Sequence, residues 1–143
     1  MARTLVFRVD YAHPPAAVWD ALTTREALTA WLMENDFEPR VGHRFSFRSK
    51  PMPGWSGIVD CEVLELDAPR RMVWRWRSDW IDTTVTFTLA ATATGTRLEL
   101  VHDGFEGLRG HFVSWMMRGW NRLLRVRLAA RIAEDDTTNG SVR

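Results

Sequence analysis

The sequence predicts an α+β fold: a curved antiparallel β-sheet of about seven strands wrapped around one long C-terminal α-helix. Three observations predict it. Apolar residues keep a helical period from Gly107 to Ala133. Between Asp36 and Asp103 the chain alternates in about six short runs joined by turns, the pattern of an antiparallel sheet. Two short amphipathic segments separate these runs from a first strand. A helix over 107–133 would be about 40 Å long and would need a large concave partner. The strands, apolar on one face and polar on the other, leave one side of the sheet to be covered. A twisted sheet curling around the helix satisfies both.

Thr4 to Asp10 alternates, with Leu5, Phe7 and Val9 on one face, and reads as a half-buried strand. Ala12-His13-Pro14-Pro15 ends it, and proline in a first turn starts a helix from Pro14 to Leu22. Thr23 and Glu26 have capping-box spacing for a second helix to Met33, burying Leu28, Trp31 and Leu32. Phe37 to Val41 reads as a strand, with Pro39 marking an edge or bulge. Arg44 to Arg48 points Phe45 and Phe47 inward. Ser49 to Gly54 is a breaker-rich loop. The strand from Trp55 to Leu66 slips phase near Val63-Leu64, which predicts a bulge. Met72, Trp74 and Trp76 share one face of the next strand. Thr83, Val85, Phe87 and Leu89 share a face of the strand after it, and Leu98, Leu100 and His102 a face of the last. Gly104 to Gly110 reads as a hinge into the long helix, whose apolar positions are Phe112, Met116, Trp120, Leu123 or Leu124, Val126 or Leu128, and Ile132. Residues 1–134 form one domain, and Asp135 to Arg143 reads as a disordered tail.

Composition narrows the function classes. Lys+Arg 19 against Asp+Glu 18 argues neither for nor against nucleic acid; with the helix arginines read as a solvated face, no nucleic-acid partner is expected. No apolar run is long enough to span a membrane, and the N-terminus has no signal-peptide core. One cysteine, Cys61, excludes a disulfide framework and sets a reducing, cytoplasmic location as the expectation. The four histidines show no metal-ligand spacing, so neither metal nor cofactor is expected. Eight tryptophans in 143 residues are more than a core of this size needs, which suggests a lined cavity.

Five segments in order carry a family resemblance: VWDALTTREALTAWL from Val18, VGHRFSF from Val41, GIVDCEVLELDAPRRMVWRW from Gly57, GTRLELVHDGF from Gly95 and GWNRLLRVRL from Gly119. Together they resemble the activator-of-Hsp-90-ATPase homologue-like family, often labelled SRPBCC, of the START and Bet v 1-like superfamily. The resemblance covers about residues 3–134. It implies a helix-grip fold that holds ligands between sheet and helix, in a group that also includes chaperone activators and resistance proteins. Two features depart from it. The second helix opens with Thr24-Arg25 rather than an acidic-proline pair, and the further N-terminal domain of the eukaryotic activator is not seen here.

His102 is the sharpest candidate for chemistry, as a polar handle on a ligand or as a general base. Its plain reading is a buried neutral histidine hydrogen-bonded to a strand or helix group. A ligand-binding set follows from the inward faces: Phe45, Phe47, Trp74, Trp76, Phe87, Leu100 and His102 from the sheet. Trp115, Met116, Trp120 and Leu124 join from the long helix, and Trp31 from near the cavity mouth. Asp60 and Glu62 share the other face of their strand and read as solvated, and Arg118, Arg122 and Arg125 read as a solvent stripe on the helix.

Three functions stay open: non-catalytic binding of a small apolar or aromatic molecule, activation of the Hsp-90 ATPase, and a cyclase or hydratase using His102 as base. The expected partners are accordingly that small molecule, a chaperone, or a second copy of the chain through a sheet edge.

Overall fold

A computed structural model describes the backbone of residues 3–79, 81–105 and 110–141, with side chains for residues 4–79, 81–105 and 116–135. The expected alternation becomes a seven-stranded antiparallel sheet, curved and open, in the order β1-β7-β6-β5-β4-β3-β2. The strands are β1 (Arg3–Tyr11), β2 (Glu34–Asn35), β3 (Arg44–Arg48), β4 (Ile58–Asp67), β5 (Arg71–Ser78), β6 (Ile81–Thr92) and β7 (Gly95–Phe105). Helices α1 (Pro15–Leu22) and α2 (Arg25–Trp31) carry the chain from one sheet edge to the other.

Side-chain phase decides what each face meets. Leu5, Phe7, Phe45, Phe47, Val59, Cys61, Val63, Met72, Trp74, Val85, Phe87, Leu98 and Leu100 are buried. Asp60 and Glu62 point outward, on the ladder opposite Arg77 and Arg75. The β4–β5 register shifts between Val63 and Glu65, leaving Leu64 unpaired and exposed, which is the bulge that the sequence predicts. The outer face is stitched by cross-strand ion pairs such as Arg8–Glu99 at 2.8 Å, Arg97–Asp10 at 2.9 Å and Arg75–Asp82 at 2.8 Å. These pairs are solvated and contribute little to stability.

Three local expectations change. The strand expected over Phe37–Val41 lies instead at Glu34–Asn35; Phe37 is buried without ladder pairing. It sits edge-on to Phe45 at 5.1 Å, so burial rather than pairing accounts for its apolar character. The cap of α2 is Thr24, not Thr23: Thr24 Oγ1 accepts from the Ala27 amide, while Thr23 Oγ1 donates to the Trp19 carbonyl. Helical backbone also continues to Ser141, through the segment read as a tail.

The C-terminal helix has three stretches: α3 (Gly110–Arg122), a π-helical segment (Leu123–Leu128) and α4 (Ala129–Ser141). Its buried residues in the described part are Trp120, Leu124, Leu128 and Ile132, spaced by four. In a regular α-helix a strict spacing of four drifts by about 40° per step. The wider π turn, with hydrogen bonds reaching one residue further, offsets that drift. It also resolves the ambiguous positions in favour of Leu124 and Leu128, leaving Val126 60% exposed. Two side chains hold the widened segment. The Tyr11 hydroxyl donates to the Leu124 carbonyl at 2.6 Å, and Arg127 donates to the Ala30 carbonyl in the last turn of α2 at 2.9 Å. Burial pushes the Tyr11 phenol well above its ordinary range, keeping it a donor.

Candidate functional site

The apolar faces of sheet and helix close on each other in the middle of the domain and part at one end. There they leave a cavity of about 710 Å³, partly open to solvent. This is within the size range of small-molecule sites, about 300–1,000 Å³. Its sheet wall is Val59, Trp76, Ser78 and Ile81, and its helix wall is Met116, Gly119, Trp120 and Leu123. Leu32 and Met33 close it from the end of α2, and Met52, Pro53 and Trp55 from the β3–β4 loop. Among the described residues, three charged side chains line it: Asp79, Arg122 and Arg127.

The β3–β4 loop is fixed rather than trailing. Trp55 Nε1 donates to Ser78 Oγ at 2.8 Å, and that hydroxyl donates to the Ile58 carbonyl at 2.6 Å. The Ser56 amide donates to Asp79 Oδ2 at 3.0 Å, and hydrogen bonding from Ser56 holds the Asp79 carboxyl below its usual range. Asp79 itself has φ 50, a left-handed conformation that aspartate tolerates better than most residues. Gly57 closes the loop base at φ +84, where an added Cβ would lie 2.5 Å from the Ser49 carbonyl oxygen. Gly57→Ala is therefore expected to cost about 1–3 kcal/mol through backbone strain and to swing Trp55 off Ser78. Thermal unfolding and the emission maximum of Trp55 read both effects.

Behind the cavity wall lies a closed polar chain. Trp120 Nε1, which can only donate, bonds His102 Nδ1 at 2.9 Å. The imidazole proton therefore sits on Nε2, which donates to Thr83 Oγ1 at 2.7 Å. The Thr83 hydroxyl in turn donates to the Trp76 carbonyl at 3.1 Å. His102 is fully buried, with Phe105 at 4.5 Å and Trp76 at 5.5 Å between ring centroids. Burial lowers its pKa to about 3, against a smaller opposing influence of Asp103. Both ring nitrogens are engaged, so this arrangement presents no free base to the cavity.

The residues that the sequence picks out fall into two groups. Trp76, Met116 and Trp120 line the cavity. Phe45, Phe47, Trp74 and Phe87 form a closed aromatic cluster, with centroids 4.7–5.5 Å apart around Trp74. Leu100 and Leu124 are fully buried, and Trp31 donates to the Ala21 carbonyl at 2.7 Å, tying α2 to α1. Trp80 and the Trp115 side chain lie outside the described residues. The sequence reading leaves out the loop residues Met52 and Pro53, which belong to no periodic pattern, and Ile81, the first residue of β6 and in phase with Thr83 and Val85; it places Arg122 in a solvent stripe. Arg127 at spacing +4 from Leu123 was a signal that could have been used. Among the described residues no group of His, Cys, Asp and Glu could hold a metal ion, and no helix is long and apolar enough to cross a membrane.

Comparison with known proteins follows the same outline. The family model described as Activator of Hsp90 ATPase homolog 1-like protein matches residues 12–133. Among solved structures, protein MLL2253 from Mesorhizobium loti is 33% identical, with TM-score 0.83, over 92% of this chain and 98% of that one. Protein BH1534 from Bacillus halodurans is 30% identical, with TM-score 0.77, over 91% and 96%. The Aha1 dimer from Colwellia psychrerythraea is 20% identical, with TM-score 0.74, over 85% and 90%, a likeness of fold. No curated protein sequence matches the chain.

Proposed function

The chain belongs to the Activator of Hsp90 ATPase homolog 1-like family, and from that premise we propose that it binds a small apolar or aromatic molecule in the cavity at the open end of the grip. One observation carries the reading: two tryptophans, Trp76 and Trp120, face an apolar space of ligand size instead of closing it. His102 then acts behind the wall, fixing the Trp120 indole, and takes no part in bond-making. Phe45, Phe47, Trp74 and Phe87 serve as the rigid backing of the site. The family description supports a second reading, activation of an Hsp90-type ATPase, which needs a protein surface rather than the cavity.

Gly119 supplies the test. It lines the cavity, and an added Cβ there would meet nothing within 4 Å. Gly119→Leu is expected to fill the space without strain. It should raise helix stability by up to about 1 kcal/mol, because glycine is a poor helix former. In a tryptophan-fluorescence titration with planar two- and three-ring compounds, the wild type should be quenched saturably and Gly119→Leu should not. Absence of quenching in the wild type, or equal quenching in both, would sink the proposal.

A further inference from the structure

Resting on that reading, we infer that the ligand is an amphipathic anion: a planar apolar body carrying one oxyacid group, such as a carboxylate, held at the helix side of the cavity mouth by Arg122 and Arg127. The cavity is apolar apart from a few groups, so the charges on its rim select the ligand. Arg122 and Arg127 are both exposed and both line it. Arg127 uses one nitrogen on the Ala30 carbonyl and keeps its other donors. The Arg122 side chain makes no hydrogen bond or ion pair with any described residue, whereas arginines elsewhere are engaged in pairs such as Arg8–Glu99, Arg75–Asp82 and Arg97–Asp10.

The helix geometry brings the two together. Residues five apart on an α-helix point about 140° away from each other. Arg122 immediately precedes the π segment and Arg127 lies within it, so the wider turn between them brings the two toward a common side. Guanidinium groups are suited to carboxylates through paired donors. Among the described residues lining the cavity, the one carboxylate is Asp79, which stands on the β5–β6 turn and already accepts from Ser56. Its charge repels an anion from that wall and so sets the ligand's orientation: oxyacid toward the helix, ring system between Trp76 and Trp120.

The test compares 2-naphthoate with methyl 2-naphthoate, two probes of one body and different charge, by tryptophan quenching. In the wild type the carboxylate is expected to bind about tenfold tighter, as a charge-assisted contact would give. Added salt should weaken the carboxylate alone. Arg122→Gln should cut that preference, and Arg122→Gln with Arg127→Gln should remove it, with unfolding temperatures checked for each variant. If acid and ester bind the wild type equally, the cavity still binds ligands but the anion inference is overturned. It is also overturned if the preference survives in the double variant. If neither probe binds while neutral planar compounds do, the inference fails alone; if nothing binds, the ligand-binding reading fails with it.

Discussion

Replacing His102 with leucine is expected to reverse the order of stability of the two proteins as pH falls. Well above neutrality the wild type should be the more stable by about 2 kcal/mol, because leucine leaves the buried Trp120 Nε1–H without an acceptor. The sign at lower pH follows from the imidazole. Its folded pKa, about 3, lies below the ordinary 6.5, so the unfolded chain takes up the proton first. Stability that is present above pH 6.5 is therefore lost as pH falls through the window from 6.5 toward 3. Within that window the wild type loses up to about 1.4 kcal/mol per pH unit, a loss that the leucine variant does not share. The two stability curves should cross at roughly pH 5. Protonation would set a second donor on Nδ1 facing the Trp120 N–H, so the polar chain cannot adapt to it. Urea unfolding at several pH values measures both curves. Parallel curves would mean that the ring is not held neutral.

Replacing Trp74 with alanine is expected to cost about 4 kcal/mol, the upper part of the range for a large aromatic in a closed core. For a domain of this size that lowers the unfolding temperature by roughly 10 °C. Trp74 is fully buried and is the hub of the aromatic cluster: Phe87 lies at 4.7 Å, Phe45 at 5.4 Å, Phe47 at 5.5 Å and Phe37 at 5.9 Å. These rings come from β3, β6 and the β2–β3 connection, so the cavity left by alanine cannot close by moving one side chain. Trp74→Phe separates shape from polarity. Trp74 Nε1 has no hydrogen-bond partner, so phenylalanine removes a buried donor that contributes nothing, and the loss should fall to about 1–2 kcal/mol. Calorimetry of both variants checks the ordering; an alanine variant as stable as the phenylalanine one would contradict it.

Most of the architecture was legible because period-two alternation depends only on which face is buried. The inward sets on β5, β6 and β7, and the slip at Val63-Leu64, could be read directly. The division of the tryptophans was not. Trp74 and Trp76 have the same phase on one strand, yet Trp74 is enclosed and Trp76 borders the cavity. What separates them is distance along the strand from the point where sheet and helix part, and periodicity carries no such coordinate. Arg122 is exposed, as a solvent stripe requires, yet it also borders the cavity, because that cavity opens to solvent at its rim. Phe37 shows the opposite limit: an apolar residue two positions before a proline is buried by ring contacts with no strand around it.

The π segment has one more consequence. A turn closed over five residues holds one residue more than a turn closed over four, so Leu123–Leu128 stores a unit of surplus chain within an unbroken helix. The slack shows at Val126, the exposed apolar side chain in the segment. Because the surplus is absorbed there, the two ends of the helix are indexed separately. The stretch around Trp120 is set against the sheet, and α4 is set against α1 and α2. Chain length inside this one turn is thus a fitting parameter of the fold, able to adjust one contact without disturbing the other.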